Sequence, residues 1–137
     1  MDDGPQAAKT FEDLHIFKEA RRMVSLIWEL TKNSPFARDR VLTGQVRRAG
    51  LSVVSNIAEG FERGSRVEFG RFLKIAKGSC GEVRAQMLVT ADLNYISKEE
   101  CADFCLRTYQ ISAGLSKLIA YLGSSAIKKG KPSFLSA

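Results

Sequence analysis

The sequence has little of the residue chemistry that most enzymes and metalloproteins use. Its 137 residues include one histidine, three cysteines and one tryptophan. With His15 as the only histidine, the repeated Glu-x-x-His pattern of di-metal helical bundles is excluded. The glycine-rich nucleotide motifs, HExxH and GxSxG are also absent. These absences predict a protein that is not an enzyme and that uses no cofactor.

The three cysteines do not form a recognisable metal or disulfide pattern. Cys101 and Cys105 are four residues apart and would face one metal ion from a helix, but two thiolates make only half of a zinc site. An odd number of cysteines is not typical of a disulfide framework. We interpret Cys80, Cys101 and Cys105 as small hydrophobic residues of the core, without a metal.

Long apolar runs are missing as well. No stretch approaches the roughly 18 apolar residues of a transmembrane helix, so we expect no membrane contact. The first residues, Met1-Asp2-Asp3, are acidic and lack the apolar region of a secretory signal, which predicts a cytoplasmic location. The overall composition, 45% hydrophobic and 26% charged, is typical of a globular domain.

The apolar residues that are present recur at steps of three and four, which is the helical period. This pattern predicts helices over about residues 14–32, 39–59, 66–93 and 98–121, and no strand shows the alternation of period two. Short connections between long helices favour antiparallel neighbours. The sequence therefore predicts an all-α, antiparallel up-down-up-down four-helix bundle.

Local signals mark the ends of these helices. Asp13 is the predicted N-cap of the first helix, and Gly60 is the predicted C-terminal glycine after the second. The third and fourth helices each begin with the spacing of a capping box, in which two side chains satisfy each other's backbone N–H groups. These boxes pair Ser65 with Glu68 and Ser97 with Glu100. The bundle would occupy residues 13–122, between a flexible N-terminal arm (1–12) and a basic mobile tail (123–137).

Polar residues border the apolar faces of the second and third helices. Polar groups near a core need hydrogen-bond partners, so we predict a polar network that sets the helix register. A small-molecule or ion site and a subunit contact are the alternatives. The stripe comprises Gln45, Ser52, Asn56 and Glu59 on the second helix, and Glu68, Ser79 and Gln86 on the third.

Positive charge is concentrated in the middle of the chain. The formal net charge is +6, yet residues 38–84 alone hold ten basic and five acidic residues. Four basic residues of the third helix fall within an arc of about 80°, and no acidic residue between Arg66 and Arg84 shares that arc. Such a stripe is compatible with a solvated surface, with phosphate contact or with an acidic protein partner. Its members are Arg66, Lys74, Lys77 and Arg84.

Several segments together resemble a known family. The sequence reads QVRRA at 45–49, SNIAEG at 55–60, AKGSCGE at 76–82 and LNYI at 93–96. In these segments the chain resembles the four-helix-bundle family named for proteins encoded in intervening sequences of bacterial 23S rRNA genes. The resemblance covers residues 11–122. It implies a homopentamer, a ring of bundles around a central channel.

The same resemblance implies functional residues and partners. Arg47 and Arg48 match the family's basic pair, and Asn56, Glu59, Ser79 and Glu82 match its polar positions, which adds Glu82 to the predicted network. Accessory proteins of diversity-generating retroelements look similar, and they bind nucleic acid and a reverse transcriptase. We expect a non-enzymatic oligomer that binds RNA or DNA through basic faces, or alternatively a scaffold that docks an acidic protein such as a reverse transcriptase. The predicted nucleic-acid-binding residues are Arg47, Arg48, Arg63, Arg66, Lys74, Lys77 and Arg84.

Overall fold

The computed structural model describes residues 8–124, which form four α-helices and no strand. Helix α1 spans His15–Thr31, α2 spans Arg40–Glu62, α3 spans Arg66–Asp92 and α4 spans Lys98–Leu122. Two short 3-10 turns precede α1 and α2, at Phe11–Asp13 and Phe36–Arg38. The predicted all-α four-helix bundle is thereby confirmed.

One apolar core joins the four helices. Helices α2 and α3 pack most extensively, α3 packs closely on α4, and α1 packs on α2 more than on α4. Each helix contributes its apolar stripe to this core, as the sequence period predicts. Fully buried side chains include Met23 and Ile27 of α1, Val53 and Ile57 of α2, Phe69 and Met87 of α3, and Leu115 of α4.

Side-chain caps start three of the helices. At α4 the capping box is complete, because Glu100 N–H donates to Ser97 Oγ (3.0 Å) and Ser97 N–H donates to Glu100 Oε1 (2.9 Å). At α3 only half of the predicted box is present: Ser65 Oγ accepts from Glu68 N–H (3.2 Å). The carboxylate of Glu68 accepts instead from Arg71 (3.0 Å). A third cap, which the sequence pattern did not single out, is Asp39 at the start of α2.

Two predicted helix ends are wrong. Leu14, not Asp13, is the N-cap of α1, because the Asp13 carboxylate accepts from the N–H groups of Lys9 (3.2 Å) and Thr10 (3.3 Å) in the preceding turn. These bonds lower the pKa of Asp13. Gly60 does not end α2, which continues to Glu62.

The left-handed glycine of the α2–α3 connection is Gly64, with φ of 76°. Gly60 has a different role: it is buried inside α2, where a Cβ would lie 2.7 Å from the Phe72 Cβ atom. Gly60 therefore permits the close approach of α3 rather than a turn.

The predicted N-terminal arm lies within the described residues only from Ala8 onward. Ala8 is 2% exposed, and the ring of Phe11 packs edge-on against Phe17 with centroids 4.9 Å apart, so this part of the arm contacts the bundle. Residues 1–7 and 125–137, which include Lys128, Lys129 and Lys131 of the predicted tail, lie outside the described residues. Between residues 8 and 124, none of the helices combines the length and the apolar character needed to cross a membrane.

Candidate nucleic-acid interface

The basic residues of α3 form a row along one side of the helix, here called the α3 row: Arg66, Lys74, Lys77 and Arg84. The two lysines are exposed and the two arginines are half-buried. At 1.5 Å per residue the row is about 27 Å long. None of the four forms an ion pair with a carboxylate in the described part of the chain. Their charges are therefore available to an external anion.

An apolar groove adjoins the N-terminal end of the row. Arg66 and Lys74 line it together with Ile119 and Leu122 of α4, and its volume is about 440 Å³. The row thus lies beside the α3–α4 seam rather than on an isolated helix.

The C-terminal end of the row meets an aromatic ring. The Arg84 guanidinium carbon lies 4.3 Å from the centroid of the Tyr109 ring, and Tyr109 is 61% exposed. A guanidinium over an aromatic face is stabilised by the ring quadrupole and keeps its N–H groups free for other acceptors. Sequence reasoning missed Tyr109 because it lies 25 positions away on another helix, and no local pattern marks it.

Arg47 faces a different neighbour from Arg84. Its Nε donates to Thr31 Oγ1 (2.8 Å), and its guanidinium lies 4.8 Å from the centroid of the Trp28 ring, both on α1. Arg84 instead contacts α4. Arg48, the next residue after Arg47, is exposed and unpaired within the described residues. The predicted basic residues therefore occupy more than one flank of the bundle.

Arg63 is the predicted binding residue whose charge is already engaged. It forms an ion pair with Glu59 (2.7 Å) and lies over the Phe72 ring at 5.1 Å. Arg71, which pairs with Glu68, lies over the same ring at 5.8 Å. Because the Glu59 carboxylate offsets its charge, we expect Arg63 to attract a phosphate less strongly than the cations of the α3 row do.

Part of the predicted polar network is present. The hydroxyl oxygens of Ser52 and Ser79 are 2.7 Å apart, which links α2 to α3. Asn56 Nδ2 donates to the Ser52 carbonyl (2.8 Å) and to Ser52 Oγ (3.0 Å). These three residues form one hydrogen-bonded group beside the core, with Ser79 only 4% exposed.

The other predicted network members are not joined to this group. Glu59 pairs with Arg63, the residue that follows α2, and Glu68 pairs with Arg71 on α3. Gln45 and Glu82 are exposed. Gln86 Oε1 is buried and has no hydrogen-bond partner within residues 8–124.

The cysteines lie in the environment expected of structural residues. Cys80 and Cys101 are buried and Cys105 is half-buried. Burial raises the pKa of the Cys80 thiol to about 12, although Arg84 and Lys77 act in the opposite direction. Cys80 is thus a neutral thiol at physiological pH and a poor nucleophile. No three metal-ligating side chains come together among the residues the structure describes.

Comparisons with known proteins agree with this fold. The family model described as 23S rRNA-intervening sequence protein matches residues 12–117. A solved structure from Bacteroides thetaiotaomicron VPI-5482, a protein of unknown function from the S23 ribosomal protein family, superimposes with a TM-score of 0.70. It is 20% identical, covering 77% of this chain and 95% of its own, so the likeness concerns the fold. None of the curated proteins compared matches the chain.

Proposed function

This chain belongs to the 23S rRNA-intervening sequence protein family, and from that premise we propose that it is a non-enzymatic, oligomeric bundle that binds RNA or another nucleic acid through its basic faces. One observation carries the proposal: the α3 row has four cations, and none of them forms an ion pair within residues 8–124. Cations without a carboxylate partner bind phosphate without first breaking an internal contact, and they release the counterions that surround the nucleic acid.

Two nearby carboxylates are already paired with other arginines, whereas Glu82 and Asp92 of α3 form no ion pair among the described residues. Glu68, on the same helix, pairs with Arg71, and Glu59 pairs with Arg63. The positive field of the row is therefore not offset by these carboxylates, and it favours an anionic chain that follows the helix axis.

We also propose that the helices run antiparallel. Gly60 of α2 approaches Phe72 of α3, whereas Ser52 contacts Ser79, so contact positions fall along one helix as they rise along the other. The pairs Arg84–Tyr109 and Met87–Cys101 follow the same rule between α3 and α4, which supports an up-down-up-down order.

The proposed assembly is a homopentamer. Exposed apolar side chains, which favour burial against a partner, occur on α2 and α3: Val41 is 78% exposed, Val67 77% and Val89 48%. Five copies would repeat the α3 row, so weak contacts would become avid. Native mass spectrometry should give five times the mass of one chain. A monomer at micromolar concentration would contradict the assembly and remove the avidity argument.

Binding itself is tested with labelled RNA. We expect fluorescence anisotropy to show binding at low salt that weakens steeply toward physiological salt. Each counterion that binding releases makes the plot of log affinity against log salt concentration steeper. Absence of RNA and DNA binding at low salt would overturn the proposal. Binding of poly-glutamate without RNA binding would instead support the scaffold that docks an acidic protein, since the same cations recognise carboxylates.

A further inference from the structure

Tyr109 is an exposed aromatic residue whose contact with another helix in the described residues is the one with Arg84. Its side chain is 61% exposed, and its hydroxyl makes no hydrogen bond within the described residues. The other tyrosines are better placed: Tyr95 donates to Asp39 Oδ2 (3.1 Å), and Tyr121 is half-buried. Because most of the ring is exposed, its surface is accessible to a ligand.

The surroundings of Tyr109 are those of a nucleic-acid contact. Arg84 ends the α3 row, lies over the Tyr109 ring at 4.3 Å and has no carboxylate partner in the part of the chain that the structure describes. Lys77 precedes Arg84 by seven residues, about 10 Å along the same helix. On the next turn Leu88 is 50% exposed. The cations proposed to bind phosphate therefore lie next to an accessible aromatic ring.

Charge alone would attract duplexes and single strands alike, whereas the ring distinguishes them. In a duplex the faces of each base are covered by its stacked neighbours. In a single strand a base turns out and stacks on an aromatic side chain, which contributes binding that is nearly independent of sequence. We propose that Tyr109 stacks on an unpaired base and that the ligand of the α3 row is a single-stranded segment. This inference rests on the proposed nucleic-acid binding.

The test compares one single-stranded probe with its duplex. Full-length protein is titrated with a labelled oligouridylate and with an oligouridylate–oligoadenylate duplex of equal length. We expect the wild type to prefer the single strand, and Tyr109→Ala to weaken single-strand binding by about 5- to 100-fold while changing duplex binding less than about twofold. Tyr109→Phe, which keeps the ring, should bind like the wild type.

Leu106→Ala is the matched control, because Leu106 is an exposed apolar residue (58%) on the same helix. It should leave both affinities unchanged. As a direct readout, a single strand carrying 4-thiouridine should cross-link to the peptide that contains Tyr109.

Two failures are distinguishable. Wild-type protein that binds neither probe at low salt overturns both the proposed function and this inference. Protein that binds both probes equally, or whose affinity is unchanged in Tyr109→Ala, retains the proposed function and overturns the stacking role alone.

Discussion

Reversing the charge of Lys74, Lys77 and Arg84 to glutamate together is expected to lower nucleic-acid affinity by more than about 100-fold at physiological salt. Each substitution removes a cation that has no carboxylate partner among the described residues, and it places a negative charge beside the phosphates. The slope of log affinity against log salt should also fall by about two to three, because fewer counterions are released. Anisotropy titrations at several salt concentrations measure both quantities.

A matched variant distinguishes the contribution of the α3 row from the effect of the protein's net charge. Lys18, Arg22 and Lys117 are also exposed, and they lie on α1 and α4 away from the α3 row. Their triple change to glutamate alters the net charge by the same amount. We expect it to reduce affinity much less. Equal losses in the two variants would show that overall charge, rather than the α3 row, governs binding.

Replacing Gly60 with alanine is expected to destabilise the protein by about 1–3 kcal/mol, although alanine is the better helix former. A Cβ at this position would lie 2.7 Å from Phe72 Cβ and 3.1 Å from Phe69 Cδ1. Phe69 cannot readily move, since it is fully buried and packs against Phe61 with ring centroids 5.8 Å apart. Urea unfolding followed by circular dichroism measures the change.

Gly44→Ala is the matched control on the same helix. Apart from its chain neighbours and its own helix backbone, a Cβ there would meet no atom of the described residues within 4 Å, so the higher helix propensity of alanine should stabilise the protein by about 1 kcal/mol. The two substitutions are therefore expected to have opposite signs. If Gly60→Ala stabilised the protein as Gly44→Ala does, the close packing of α2 on α3 at this point would be refuted.

Much of the fold was predictable from local signals. The apolar period placed all four helices, and the first helix, expected to stop near Lys32, ends at Thr31. The capping box of Ser97 and Glu100 was recognised because both of its hydrogen bonds join residues three positions apart. Family membership was likewise readable from motifs such as SNIAEG, and the family match over residues 12–117 confirms it.

Predictions failed where a residue's partner lies outside the helix to which the sequence pattern assigned that residue. Gly60 has the sequence context of a helix end, but its role depends on Phe72 of α3. Asp13 has the spacing of an N-cap, yet the preceding turn supplies two N–H groups that take its carboxylate. Each residue had a plausible local partner, and tertiary packing or a neighbouring turn offered a better one.

For the candidate site as well, some features follow from the sequence and others only from the tertiary structure. The sequence by itself determined that four cations share one side of a helix, because the angle between residues on a helix follows from their spacing alone. Only the tertiary structure decided that these cations lack ion pairs between residues 8 and 124, that Arg47 faces Trp28, and that Tyr109 lies beneath Arg84. Contacts between helices depend on their relative position and depth of packing, and these are set by the whole core rather than by any local spacing.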